Sequence, residues 1–282
     1  MNYKHVYHAG GFADVTKHVI LMALINAFKR KDTPFCYIDT HAGAGIYDLF
    51  SEFAGKTKEY EHGIEKVIAQ DRPPLLIKHY LKDIHDINNK LTDAKFSSLR
   101  YYPGSPLIAK HIMRPQDRMV VCELHPEEYQ SLRRSFGGDK QVAVHHTDGY
   151  LGLKAFLPPK ERRGLVLIDP PYEDPDEFTR LVRTLPAALK RFETGTYAIW
   201  YPIKEKAHVE RFYHALEEKI SHPIFVIELS IFPDLPSHLN GSGLAVINPP
   251  WQFDTSVQEV LPWLWKALTI NGQGGFHAYF LK

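Results

Sequence analysis

The sequence predicts a doubly wound α/β fold, and three observations carry that prediction. Short apolar runs bounded by turn signals recur along the 282 residues. Apolar residues at steps of three and four fill most of the gaps between them. The runs are apolar throughout instead of alternating with polar residues, as strands covered on both faces must be. Seven runs read as strands: Phe35–Ile38, Met119–Leu124, Val142–His145, Leu165–Ile168, Tyr197–Tyr201, Ile224–Phe232 and Leu244–Ile247.

Taken in chain order, Phe12–Lys31 reads as an amphipathic helix ahead of the first strand, with Val15, Val19, Ala23 and Ala27 inward and Lys29-Arg30-Lys31 at its end. From about Ile46 to Arg100 no strand is expected. There Leu76, Tyr80, Ile84, Ile87 and Leu91 keep helical spacing, and Arg72-Pro73-Pro74 starts that helix. After the second strand, His125-Pro126-Glu127-Glu128 places a proline and two acids for a first helical turn. Further helices are marked by Leu181, Leu185, Leu189 and Phe192, and by Val209, Phe212, Tyr213 and Leu216. The expected organisation is a core of residues 1–45 and 100–282, its first 32 residues a tail and helix, with a helical subdomain at 46–99 inserted after the first strand.

Composition narrows the function classes. With 44% hydrophobic and 24% charged residues the chain is ordinary for a globular protein. The balance of 34 Lys+Arg against 33 Asp+Glu excludes a uniformly positive coat but not a local basic face. No apolar stretch approaches the roughly 20 residues of a membrane span, and Met1-Asn2-Tyr3-Lys4-His5 does not lead into a secretion signal. Cys36 and Cys122, each inside an apolar run, read as reduced, buried residues of a cytoplasmic protein. Balanced charge and absent heptads make a monomer the expectation. The 16 histidines invite a metal reading, yet neither Cys-x-x-Cys nor His-Glu-x-x-His occurs, so no metal is expected.

Chemistry is expected at strand ends. After the first strand, Asp39-Thr40-His41-Ala42-Gly43-Ala44-Gly45 offers small residues that let backbone approach a ligand. The dinucleotide fingerprint would place Gly or Ala where Asp48 stands, and no Gly-Lys-Ser/Thr triplet follows for a phosphate loop. Glu123 closes the second strand and Asp148 follows the third. In an open parallel sheet such acids face the ligand, and one after the second strand suits a ribose hydroxyl pair. Glu123 lies 84 residues after Asp39, a gap that the helical insertion explains.

The sharpest motif is Leu165-Val-Leu-Ile168-Asp169-Pro170-Pro171-Tyr172. Two prolines stiffen the turn and remove two donors. The Asp169 carboxylate and Pro170 carbonyl then form a pair of acceptors, with Tyr172 as a flat surface, suited to the exocyclic amine of adenine. Asn248-Pro249-Pro250-Trp251 repeats the pattern, but only 31 residues follow it, too few to complete the fold. It is expected to be structural, with Trp251 packed at the sheet edge. The basic clusters Lys29-Arg30-Lys31, Arg133-Arg134, Arg162-Arg163 and Lys204/Lys206 are candidate phosphate contacts only where several share the side of the site.

Asp-Pro-Pro-Tyr after a fourth strand, with Gly-x-Gly after the first, is similar to the adenine-N6 methyltransferases that use S-adenosylmethionine. With Tyr3-Lys4-His5, His8-Ala9-Gly10, Ala13-Asp14-Val15-Thr16-Lys17-His18, Tyr102-Pro103-Gly104-Ser105-Pro106 and Glu123-Leu124-His125-Pro126, the chain resembles, over nearly its whole length, the RlmJ family of 23S ribosomal RNA adenine-N6 methyltransferases. The resemblance implies a Rossmann-like, seven-stranded class I methyltransferase sheet and S-adenosyl-L-methionine as cofactor. It implies cofactor contacts at His18, His41, Gly43, Ser105, Glu123, Asp148, Gly149 and Asp169, and catalysis at Asp169, Pro170 and Tyr172. Tyr3, His5 and Lys17 would touch the RNA or gate the site. The alternatives are a DNA adenine-N6 methyltransferase and a non-catalytic nucleic-acid-binding protein linked to the use of external DNA.

Overall fold

A computed structural model of the chain describes residues 4–92, 99–236 and 238–282. Tyr3 lies outside them. After a 3-10 turn at His5–Tyr7 comes α1 (Phe12–Lys29), then β1 (Cys36–Asp39) and a short β2 (Ile46–Asp48). Four helices follow: α2 (Glu52–Thr57), α3 (Glu59–His62), α4 (Ile64–Ile68) and α5 (Leu75–Leu91). The chain continues through β3 (Tyr101–Pro103), α6 (Ser105–Ile112), β4 (Arg118–Glu123), α7 (Pro126–Ser135), β5 (Val142–His146) and α8 (Gly149–Phe156). Next are β6 (Gly164–Ile168), α9 (Glu177–Arg191), β7 (Thr196–Ile203) and α10 (Lys206–Lys219). The last elements are β8 (Ile224–Ser230), β9 (Gly241–Ile247), α11 (Phe253–Leu268) and β10 (Gly275–Phe280).

Eight strands form one sheet in the order β10-β8-β9-β7-β6-β1-β4-β5. The pairs from β5 across to β7 are parallel, and those joining β7, β9, β8 and β10 are antiparallel. Strand residues divide between two cores: Leu165 and Leu167 face α1 and α11, whereas Val166 and Ile168 face α8, α9 and α10. Two covered faces explain why the strands read as unbroken apolar runs.

The expected α/β fold is therefore present, with differences in detail. The sheet has eight strands, not seven. The extra one, β10, is an edge strand of half-exposed residues, Gly275-Phe-His-Ala-Tyr-Phe, with no continuous buried run to reveal it. The stretch expected to lack strands contains β2, which pairs with β3 and closes the base of the helical excursion α2–α5. Three-residue strands carry too little periodicity to be legible. The first helix is not amphipathic: α1 is buried on nearly every side, polar Asp14, Thr16, Lys17 and His18 included. Trp251 is not packed at the sheet edge but 78% exposed. Cys36 and Cys122 are free and buried. Among the described residues no helix is long and apolar enough to cross a membrane.

Candidate active site

From β1 the chain moves outward to β4 and β5, then returns to place β6 on the other side of β1. Crossovers that depart in opposite directions leave a crevice at the carboxyl ends of these strands. Because all four strands run parallel, Asp39, Glu123, Asp148 and Asp169 arrive at the same edge. The cavity there is lined by His5, Lys17, His18, His41, Gly43, Ser105, Glu123, Asp148, Gly149, Asp169 and Pro170. It measures about 120 Å³, below the roughly 300–1,000 Å³ usual for ligand pockets, and His5 and Lys17 from the N-terminal segment form part of its wall.

The glycine loop is tied to the end of β4. Gly43 N–H donates to Glu123 Oε2 at 2.8 Å, and His125 N–H donates to Oε1 at 2.6 Å. Gly43 has φ +62°, and a Cβ there would lie 2.3 Å from the Tyr47 hydroxyl. Asp39 is sealed beneath this loop and accepts hydrogen bonds from the Tyr37 and Ser105 hydroxyls, both at 2.7 Å. Burial raises its pKa to about 6, although both hydroxyls oppose the shift. The β2–β3 ladder sets Ser105 in place, with Gly104 N–H donating to the Gly45 carbonyl at 2.8 Å. Asp148 caps α8 by accepting from the Tyr150 and Leu151 N–H groups, and Arg180 donates to its other oxygen at 2.7 Å. Burial works against its ionised form, but these donors outweigh it and its pKa falls. Gly149 lets α8 start against β1, since a Cβ there would meet the Thr40 carbonyl at 2.2 Å.

Asp169 does not cap the next helix, which is preceded by Asp176. Its Oδ2 accepts from Lys17 Nζ at 2.6 Å. Lys17 also contacts Asp14 at 2.9 Å, and Asp14 in turn meets His5 at 2.9 Å and Gly10 N–H at 3.2 Å. Burial disfavours the charge on Lys17, yet Asp14 and Asp169 outweigh it and raise its pKa. Asp14 is likewise penalised by burial, but His5 and Lys17 hold it well below the carboxylate range. Burial drives His18 down to about 3 and His41 to about 4, so both rings are neutral near pH 7. His18 Nδ1 meets the Tyr102 hydroxyl at 2.9 Å, and Tyr102 meets Tyr80 at 2.8 Å. His18 Nε2 is buried without a hydrogen-bond partner. A fully enclosed nitrogen in that state on a cavity wall fits a polar ligand group.

Tyr172 departs from the expected arrangement. Its backbone has φ +51° and its hydroxyl donates to the Trp200 carbonyl at 2.6 Å. Its ring packs on Phe178 and Trp200, with centroids 5.0 and 5.8 Å away. It thus faces the groove between α9 and α10, outside the cavity that Asp169 and Pro170 line. The N-terminal histidines do not gather: His5 pairs with Asp14, His8 with Glu59, and His18 with Tyr102. Among the described residues, Asp83, Asp86 and His111 form the one group with metal-ligand spacing, half-buried and outside the cavity lining. The sequence motifs contain Asp14 and Tyr102 but give them no role, and Arg180 lies outside every motif. Asp14 carried a signal, standing three residues before Lys17 on one helix face.

A parallel Rossmann-like sheet with an antiparallel flank, a glycine loop after β1, acids after β4 and β5 and Asp-Pro-Pro after β6 together define the class I methyltransferase fold. Within that class the chain belongs to the family described as Ribosomal RNA large subunit methyltransferase D, RlmJ, whose model matches residues 32–281. It is 44% identical over 277 residues to Ribosomal RNA large subunit methyltransferase J of Haemophilus influenzae, covering 98% of this chain and 97% of that protein. To the protein of the same name from Escherichia coli K12 it is 43% identical over 275 residues, covering 97% and 96%. A crystal structure of a Legionella pneumophila protein superposes with a TM-score of 0.86 at 39% identity, covering 97% of each chain.

Proposed function

We propose that this protein transfers a methyl group from S-adenosylmethionine to the N6 amine of an adenine in 23S ribosomal RNA. The observation that carries the reading is the convergence of Glu123, Asp148 and the Asp169-Pro170 turn on one cavity at the carboxyl edge of the sheet. Family membership points the same way. Residues of the cavity suit the cofactor: Glu123 would accept from the ribose hydroxyls, Asp148 and Gly149 would border its base, and His18, His41, Gly43 and Ser105 would line the rest. When bound, the cofactor supplies an electrophilic methyl on a sulfonium centre that becomes neutral on transfer.

The residues have a defined task. An aromatic amine is a weak nucleophile because its lone pair is delocalised into the ring. Accepting its two N–H groups at the Asp169 carboxylate and the Pro170 carbonyl holds the nitrogen pyramidal and aims its lone pair. The rate then comes chiefly from positioning, with no strong acid or base required, and the proton that the methylated nitrogen sheds passes to the Asp169 carboxylate or to water. Lys17 now holds one oxygen of the Asp169 carboxylate, and its contact with Asp14 would keep it paired if the base took that place. The target adenine enters unstacked, and displacement of the His5 segment makes room for it. Tyr172 anchors the turn through Trp200. Free buried cysteines accord with a cytoplasmic setting, and we take the protein to act there as a monomer.

Asp169→Ala tests the assignment. Methyl transfer to an unmodified 23S transcript should disappear while affinity for S-adenosylmethionine, measured calorimetrically, stays within about tenfold. Near-normal turnover in the variant would remove Asp169 from the mechanism. Transfer to single-stranded DNA but not to the transcript would overturn the choice of substrate, and failure to bind millimolar cofactor would overturn the activity itself.

A further inference from the structure

Next to the catalytic turn lies a second concavity of about 610 Å³, between the faces of α9 and α10. It begins at Tyr172, one residue past the two prolines, and its apolar floor continues through Phe178, which packs on both Tyr172 and Phe212 at 5.0 Å. Four cations line it: Arg183 on α9, Lys204 in the connection after β7, and Arg211 and Lys219 on α10. All four are exposed, and none has a carboxylate partner within 4 Å among the described residues. The cations nearer the cavity behave differently, since Lys17 and Arg180 are both held by carboxylates. Against the four cations stand two acids, Asp174 and Glu205, the latter 3.7 Å from His208. A groove with this excess is notable on a chain whose net charge is +1.

Topology opens the groove at the correct side and carries it along α10 toward the amino edge, where Lys219 ends that helix. β7 is parallel to β6, so Lys204 leaves the same sheet edge as Asp169. Two other basic clusters legible in the sequence do not. Arg163 lies at the amino edge, where it donates to the backbone carbonyls of Thr33 and Phe28, and Arg30 donates to the Trp251 carbonyl. Lys204 is also near the N-terminal segment: His8 is raised by its hydrogen bond to Glu59, and the charge of Lys204 is among those opposing the rise. Arg211 and Lys219 are eight residues apart on one helix, about 12 Å along its axis.

We propose that this groove carries the single-stranded RNA flanking the target adenine, with phosphates on Arg183, Lys204, Arg211 and Lys219 and a neighbouring base against Tyr172 and Phe178. The proposal rests on the reading of the protein as an RNA methyltransferase and adds the path of its substrate. A cationic track beside an aromatic floor is the pattern by which single strands are held without sequence readout. Continuity with the Asp-Pro-Pro turn favours a nucleic-acid strand over a protein partner, because a base extruded toward Asp169 must drag its own backbone past Tyr172.

The test compares Arg183→Glu/Arg211→Glu with a control of equal charge change at the opposite edge, Lys31→Glu/Lys160→Glu. With an unmodified 23S transcript the groove variant should raise KM at least about tenfold, leave kcat and S-adenosylmethionine affinity within about twofold, and reduce the dependence of log Kd on log salt by about two. The control should change none of these. Equal KM and salt dependence in the two variants would overturn the proposal, as would loss of cofactor affinity in the groove variant. Binding of a short single-stranded RNA oligonucleotide is measured in parallel. If the wild-type protein transfers no methyl to RNA, the reading of the activity has failed, and the oligonucleotide arm alone decides whether the groove holds RNA.

Discussion

At the scale of single residues, the site depends on a chain of charges that composition could not reveal. Asp14, Lys17 and Asp169 are all largely buried and share two short contacts. Removing one member of such a group leaves an uncompensated buried charge. Asp14→Ala is therefore expected to cost about 3–5 kcal/mol in denaturant unfolding, whereas Glu52→Ala, at an exposed pair with Lys56, should stay within about 0.5 kcal/mol. Comparable losses for the two would show that the buried pairing contributes nothing beyond a surface contact. His18 gives a second prediction. It stays neutral in the folded chain down to about pH 3 but takes a proton near its ordinary 6.5 when unfolded. The unfolded state then binds more protons, so stability present above pH 6.5 is lost as pH falls. His41, at about 4, acts the same way, while Asp39, raised to about 6, acts oppositely by losing its contribution as pH rises from 3.8. His18→Asn should reduce the proton dependence of Tm between pH 4 and 6.5 by about one proton, and an unchanged slope would contradict the burial argument. Of these residues, His18, His41 and Asp169 were legible through motifs. Asp14 and Tyr102 were not assigned, because their roles come from contacts between segments far apart in sequence.

At the scale of elements, the two Pro-Pro turns separate cleanly. Asp169 ends β6, which is parallel to β1, but Asn248 ends β9, which is antiparallel to β7. The second turn therefore sits at the opposite edge of the sheet, where it closes structure instead of chemistry. Asn248 has φ +53°, donates from Nδ2 to the carbonyls of Glu193 and Gly195, and accepts from Thr196 through its own carbonyl. Asn248→Ala should cost about 0.5–1.5 kcal/mol, as the partly buried Gly195 carbonyl and the exposed Glu193 carbonyl lose their donor. Trp251→Ala, at an exposed ring, should fall within about 0.5 kcal/mol. A larger effect at Trp251 than at Asn248, read from equilibrium unfolding, would restore the expectation that the tryptophan packs. Parallel strands were readable because both faces are covered, and β10 was not because its edge position leaves its pattern mixed. Residue spacing alone also could not show that α1 is enclosed on all sides, since full burial removes the periodicity on which an amphipathic reading depends.

For the whole molecule, near neutrality constrains only the sum and not the arrangement of charge. The groove that opens beside Lys204 gathers exposed cations with no carboxylate partner among the described residues, whereas Arg30 and Arg163, toward the other edge, donate to backbone carbonyls. What sequence alone could not supply is this sidedness, because it depends on which strands run parallel. The enclosed first helix has a consequence for how the protein is made. α1 leaves the ribosome early, but it packs against β9 and α11, which are synthesised late. Until then an apolar helix rich in Val, Ile and Leu has no partner for much of its surface. Folding is therefore expected to finish only after synthesis of residue 268, with the nascent chain dependent on holding factors meanwhile. A chain stopped at Gln252 should be recovered in the insoluble fraction, and a soluble, cooperatively unfolding fragment of that length would show that the helix finds its core without the C-terminal layer.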